Sequence, residues 1–119
     1  MKKVVIIGAG VAGRDVLREV KKDSSLGFDI VGFIDDDPLK RGKLVDGCRV
    51  LGVKDDLKGI IKRKKIEEVI IAIPSASGEA ISEYVKICSS SKVSFRIVPR
   101  VKEIIEGKAH VDTLKRPQV

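Results

Sequence analysis

The segment VVIIGAGVAGRDVL, residues 4–17, sets Gly8, Gly10 and Gly13 between an apolar run and an amphipathic one. That spacing suits the binding of a nucleotide pyrophosphate. The first glycine turns the chain out of a strand, the second lets backbone approach the phosphates, and the third lets the next helix pack on the sheet. Ala9, Val11 and Ala12 complete the turn, and the helix behind it offers free N–H groups and the positive end of its dipole. Asp35 follows 22 residues after Gly13, at the end of what reads as the second strand, where it would meet ribose hydroxyls. Asp36 stands beside it. A carboxylate there repels a 2′-phosphate, which favours NAD over NADP; Lys40 and Arg41 close behind soften that preference. Arg14 lies in the first helical turn, a poor place for a cation unless an anion is near, so it is a candidate phosphate ligand as much as a surface residue. Ile73, Pro74 and Ser75 end a strand expected beside the first, on the far side of the cleft. Ser75 and Ser77 there either face the nucleotide or cap the next helix. The expected cofactor is NAD, with NADP or another adenine nucleotide as alternatives.

A catalytic set is harder to find. The one histidine, His110, lies close to the last residue, and the one tyrosine, Tyr84, falls on an inward helix stripe. Its ring is expected against the sheet, away from any cleft. Four residues after Tyr84 stands Cys88, so the Tyr-x-x-x-Lys pair of short-chain dehydrogenases is missing. Cys48 and Cys88 fit no metal spacing and no redox pair, and there is no nucleophile elbow or P-loop lysine. The expectation is a nucleotide-binding module with no catalytic or metal residues of its own.

The elements that must position this turn are legible from periodicity. Residues 3–7, 28–34, 67–73 and 93–98 read as strands, with a short one at 49–52. Helices are expected over 11–22, from Asp55-Asp56 onward with Leu57, Ile60 and Ile61 inward, and over 78–91 behind Ser77. Residues 38–49 read as a polar loop with room for one helical turn. A helical piece at 100–106 and a strand at 109–114 complete the reading. Strands and helices alternate at the spacing of βαβ units, which predicts a single α/β domain, residues 1–119, with a doubly wound parallel sheet.

Composition agrees with that architecture. Of 119 residues, 43% are hydrophobic and only 3% aromatic, so the core must be Ile, Val, Leu and Ala, as in a buried parallel sheet. The lack of aromatic platforms argues against a nucleic-acid partner. The net charge of +7 calls for an anionic partner or for solvated lysines, and only Lys62-Arg63-Lys64-Lys65 forms a run. No signal peptide or membrane-length apolar stretch is present, so a cytoplasmic location is expected.

The stretches VVIIGAGVAGRDVLREV, VGFIDDDPLKRGKLVDGCRVLG, EEVIIAIPSASGEAISEYVKIC and VSFRIVPRVKEIIEGK resemble the Rossmann-type domain of CapD-like polysaccharide biosynthesis proteins, the nucleotide-diphosphate-sugar epimerase/dehydratases. GFIDDDPLKRG and IAIPSASGE are the most specific pieces. The resemblance implies a Rossmann-like NAD(P)-binding fold in which Gly8, Gly10, Gly13 and Asp35 contact the cofactor. In long members of that family this domain lies between N-terminal membrane helices and a C-terminal catalytic domain holding the Tyr and Lys. The chain then resembles a fragment, or a stand-alone copy, of the accessory domain. It would meet a UDP-sugar only through that catalytic domain and a membrane only through those helices. The parent implied is an NAD(P)-dependent nucleotide-sugar 4,6-dehydratase or dehydrogenase. The same type of domain is also described as CoA-binding. A second reading is a nucleotide-sensing or interaction domain without enzyme activity, similar to the NAD domain of Rex repressors but without their winged helix. PglD-like acyltransferases share GFIDDDP, yet continue into hexapeptide repeats that are absent here. A homo-oligomer is compatible with any of these.

Overall fold

Val4, Val5, Ile6 and Ile7 are all buried because their strand, β1 (Lys2–Ile7), runs down the middle of a sheet covered on both faces. The computed structural model describes residues 1–99. In it β1 pairs in parallel with β2 (Phe28–Ile34) on one side and β5 (Glu68–Ile71) on the other. Beyond β2 come β4 (Cys48–Gly52) and the two-residue β3 (Leu44–Val45); beyond β5 comes β6 (Ser94–Ile97). The order β3-β4-β2-β1-β5-β6 is the doubly wound arrangement of a Rossmann-like fold, as the alternation of strands and helices predicts.

Alternate residues of β1 feed two cores. Val4 and Ile6 pack with Val16, Leu17 and Val20 of α1 (Val11–Lys22). Val5 and Ile7 pack with Leu57, Ile60 and Ile61 of α2 (Leu57–Arg63) and with Tyr84 and Cys88 of α3 (Gly78–Ser90). Both faces of the strand are apolar, so its sequence shows no alternation. α1 is capped by Gly10 and ends in Lys21 and Lys22, which suit the negative end of its dipole.

Three expectations need correction. The polar loop at 38–49 holds its one helical turn, a 3-10 turn over Pro38–Lys40, but also strand β3, which pairs antiparallel with β4, so the sheet is not wholly parallel. The hairpin closes on Asp46 and Gly47, both at positive φ (51° and 81°), the geometry of a primed two-residue turn. Asp55-Asp56 do not open α2 directly but lie in a 3-10 turn (Lys54–Asp56) ahead of it. The strand expected over 67–73 closes at Ile71. The expected helix at 100–106, the strand at 109–114 and His110 lie outside the described residues. No helix connects β2 to β4, and α1 shares its face of the sheet with a hollow of about 630 Å³ lined by Leu17, Val20, Phe28 and Cys48 among others.

Candidate functional site

The glycine turn lies where the chain leaves the C-terminal end of β1, and the segment after β5 faces it across a cleft of about 530 Å³. One wall is Gly8, Gly10, Val11 and Ala12; the other is Ala72, Ile73, Pro74, Ser75 and Ala76. Asp35, Lys40 and Asp15 complete the lining. This is the switch point of the sheet, where crossovers from neighbouring strands leave in opposite directions and a ligand can enter.

The three glycines do different work. Gly8 has φ +99°, and a Cβ there would stand 2.6 Å from the Ala72 carbonyl oxygen. A Cβ on Gly13 would stand 1.7 Å from the Gly8 carbonyl oxygen, so the helix can approach the turn only because this residue has no side chain. Gly10 is otherwise. Its φ of −87° is open to any residue, and a Cβ would meet nothing within 4 Å. Neither backbone angle nor packing requires a glycine at position 10, yet it borders the cleft.

Gly10 is also the N-cap of α1, so no side chain caps that helix, and its first turn holds no acid. The first intrahelical bond here runs from the Arg14 N–H to the Gly10 carbonyl at 3.0 Å. N–H groups ahead of Arg14 have no acceptor within the helix and are free for an anion. Arg14 does not serve that end in this structure. Its Nε donates back to the Gly10 carbonyl at 3.2 Å, and its side chain borders a separate depression with Arg18 and Asp46.

The run Asp35-Asp36-Asp37 divides three tasks. Asp35 Oδ2 accepts the Ala9 N–H at 2.9 Å, tying the end of β2 to the glycine turn, and Oδ1 accepts the Asp37 N–H at 2.9 Å. Lys40 Nζ lies 3.5 Å from Oδ2. Burial alone would raise the Asp35 pKa, but the Asp37 and Ala9 N–H groups and the Lys40 charge outweigh it and hold the carboxyl below its ordinary value. Asp36 points the other way and accepts the Tyr84 hydroxyl at 2.5 Å. Asp37 accepts the Leu39 N–H and caps the 3-10 turn at Pro38.

Of the residues singled out by spacing, Gly8, Gly10, Val11, Ala12, Asp35, Ile73, Pro74 and Ser75 meet around the cleft. Ala9, Gly13, Arg14 and Asp36 lie off its lining. Ser77 is the cap of α3, its Oγ accepting the Ala80 N–H at 3.1 Å, and Ser75 is the serine that faces the cleft. The spacing missed Asp15, one helical turn beyond the lining Val11, and Ala72 and Ala76, which flank the segment 73–75. The Tyr84 ring is buried in the core as expected, but its hydroxyl reaches the end of β2. Burial, with Asp36 as acceptor, pushes the phenol well above its ordinary pKa, which keeps it protonated and unfit as a base.

The chain matches the model of the CoA-binding domain over residues 1–99. It is 29% identical to the capsular polysaccharide biosynthesis protein CapD of Staphylococcus aureus over 99% of its own length, and spans about a fifth of that protein (20%). It superposes on UDP-D-quinovosamine 4-dehydrogenase from Vibrio fischeri with a TM-score of 0.85 and 28% identity, covering 99% of this chain and 94% of that one. The Rex-family repressor RSP in complex with β-NADH shares the fold, with a TM-score of 0.69 at 20% identity over 98% of this chain and 50% of the repressor. A glycine turn on a doubly wound sheet, matched over residues 1–99, thus makes this chain a member of the CoA-binding domain family.

Proposed function

We propose that this domain binds an adenine dinucleotide of the NAD type across the cleft between the glycine turn and the segment 72–76, and performs no chemistry alone. Gly10 carries the reading. A glycine that neither φ nor packing requires is the one that leaves the cleft floor bare beside a helix N-terminus with no side-chain cap. The pyrophosphate then lies against the N–H groups of the first turn of α1, and Asp35 takes the adenosine ribose hydroxyls with its remaining lone pairs. Among the described residues the cleft lining holds no histidine, tyrosine or cysteine. An acid/base pair for sugar oxidation would therefore come from another domain of a nucleotide-sugar dehydratase or dehydrogenase.

One observation favours a second ligand. Lys40 beside Asp35 neutralises the charge that would repel a phosphorylated ribose, so the ADP half of coenzyme A also fits the chemistry of this corner. Calorimetric titration with NADH, NADPH and CoA distinguishes them. NADH is expected to bind, and Gly10→Val to weaken it at least tenfold while the melting temperature stays within a few degrees. Unchanged affinity in Gly10→Val, or no affinity for NADH in the unaltered chain, overturns the assignment.

A further inference from the structure

The end of the sheet opposite the cleft, where the strands begin, carries a cluster of nine cations among the described residues. Lys2 and Lys3 start β1, Lys21 and Lys22 end α1, and Lys62 to Lys65 end α2. Lys92 precedes β6. All nine cations are exposed. The backbone places them at one end. The Glu67 N–H donates to the Lys3 carbonyl and the Lys2 N–H to the Gly27 carbonyl, while Val4, Glu68 and Ser94 stand in register. Four acids share this end against the nine cations, and Asp29, exposed in register with Lys3, is the one without a bond to the fold. Glu67 accepts the Lys3 N–H, Asp23 caps a 3-10 turn, and Glu68 is buried against Lys2 and Arg96.

Two of these lysines occupy a conformation that disfavours them. Lys65 and Lys92 have φ of 54° and 55°, the left-handed region that glycine enters freely and L-residues enter at a cost. Each follows a helix. The Ile66 N–H bonds to the Ile61 carbonyl and the Val93 N–H to the Cys88 carbonyl, which makes Lys65 and Lys92 the glycine-type positions of two helix-ending motifs. A helix C-terminus attracts cations, but α2 already has Lys62 and Arg63 in its last turn, and a cation within the last turn of α3 would be equally attracted without strain. Strain accepted twice, at the same end and for the same charge, indicates that the charge itself is used there.

We infer that this basic end is a docking surface for an anionic phospholipid membrane, made by the turns that carry Lys65 and Lys92 with the starts of the central strands. Eight of the nine cations are lysines, compact charges that track a diffuse anionic surface, whereas nucleic acid is more often gripped by the arginine fork and by aromatic stacking. Phe28, the aromatic side chain at this end, is buried. Docking in this way turns the nucleotide cleft, at the opposite end of the strands, toward the aqueous phase.

Flotation of the full chain with vesicles tests the inference. Binding is expected to phosphatidylcholine vesicles containing 30% phosphatidylglycerol but not to phosphatidylcholine alone, and to vanish at 0.5 M salt. Each lysine removed from the surface should weaken partition by about fivefold. The pair Lys65→Gly and Lys92→Gly should therefore lower it at least tenfold while the melting temperature holds or rises. Lys65→Asn with Lys92→Asn, also compatible with left-handed backbone, should behave alike. Lys86→Ala, which removes the same charge from the middle of α3, should leave partition unchanged. Absence of binding to the anionic vesicles in low salt, equal loss in Lys86→Ala, or tighter binding to RNA or duplex DNA than to the vesicles overturns it.

Discussion

Replacing Gly13 by alanine adds one methyl group, and the structure sets what that methyl must displace. The new Cβ would lie 1.7 Å from the Gly8 carbonyl oxygen, and contacts under 3.0 Å are essentially never seen, so turn and helix must part by at least 1.3 Å. The obstructing atom is backbone, held in place by the bond from the Gly8 N–H to the Ile34 carbonyl at 2.6 Å. α1 must therefore move, and it carries the buried Val16, Leu17 and Val20. A gap of up to an ångström already forfeits roughly a quarter to a half of each dispersion contact. With each buried aliphatic side chain worth about 1.5–3 kcal/mol, losing half across three of them costs about 3 kcal/mol. For a domain of this size that is a fall in melting temperature of roughly 10 °C. Gly10→Ala is the matched control. Its Cβ meets nothing, and the weaker N-cap is offset by the stiffer unfolded chain, so the net change stays within about 1 kcal/mol. Urea unfolding followed by circular dichroism measures both variants. Similar losses in the two, or a Gly13→Ala cost under about 1 kcal/mol, would refute the division of labour between these glycines.

Tyr84→Phe removes a hydroxyl bonded to a carboxylate and should cost about 1.5 kcal/mol in the same unfolding assay; no loss would show that Asp36 is as well served by water. Asp35 has a folded pKa below its unfolded one, so its contribution is present above the unfolded carboxyl value and is lost as pH falls through the folded one. Between pH 6 and pH 3 the unaltered chain should therefore lose more stability than Asp35→Asn, and coincident acid limbs would contradict this. On the ligand side, Lys40→Ala should widen the preference for NADH over NADPH by about fivefold, and Asp35→Ala should narrow it. Equal affinities for the two nucleotides before any substitution would refute the role of the ribose acid.

Much of this was legible in the sequence because burial leaves a plain mark. Val4–Ile7 and Val69–Ile71 are continuous apolar runs, and only a strand covered on both faces needs that. Asp35 and the segment 73–75 were found by their distances from strand ends. Strand β3 was missed because two residues carry no periodicity, although Asp46-Gly47 between apolar neighbours is a hairpin signal in its own right. The unequal roles of Gly8, Gly10 and Gly13 were not legible, since spacing treats them alike and only φ and Cβ contacts separate them. The bond from Tyr84 to Asp36 spans 48 residues, and no local pattern announces a partner that the topology alone brings close.

The central place of β1 has a consequence for the order of assembly. Its partner β2 lies 26 to 27 positions onward in register, whereas β5 lies 64 positions onward. As the chain emerges in order, a unit of β1, α1 and β2 can form early, with the Asp35 carboxylate already holding the Ala9 N–H. One edge of β1 must then wait, apolar and unpaired, until residues 68–71 arrive. The cleft is divided in the same way, its first wall belonging to the early unit and its second, residues 72–76, to the late one. A ligand spanning both walls would clasp two halves that form at different times, so the domain should close as one cooperative unit when occupied and open first along the seam between β1 and β5 when empty.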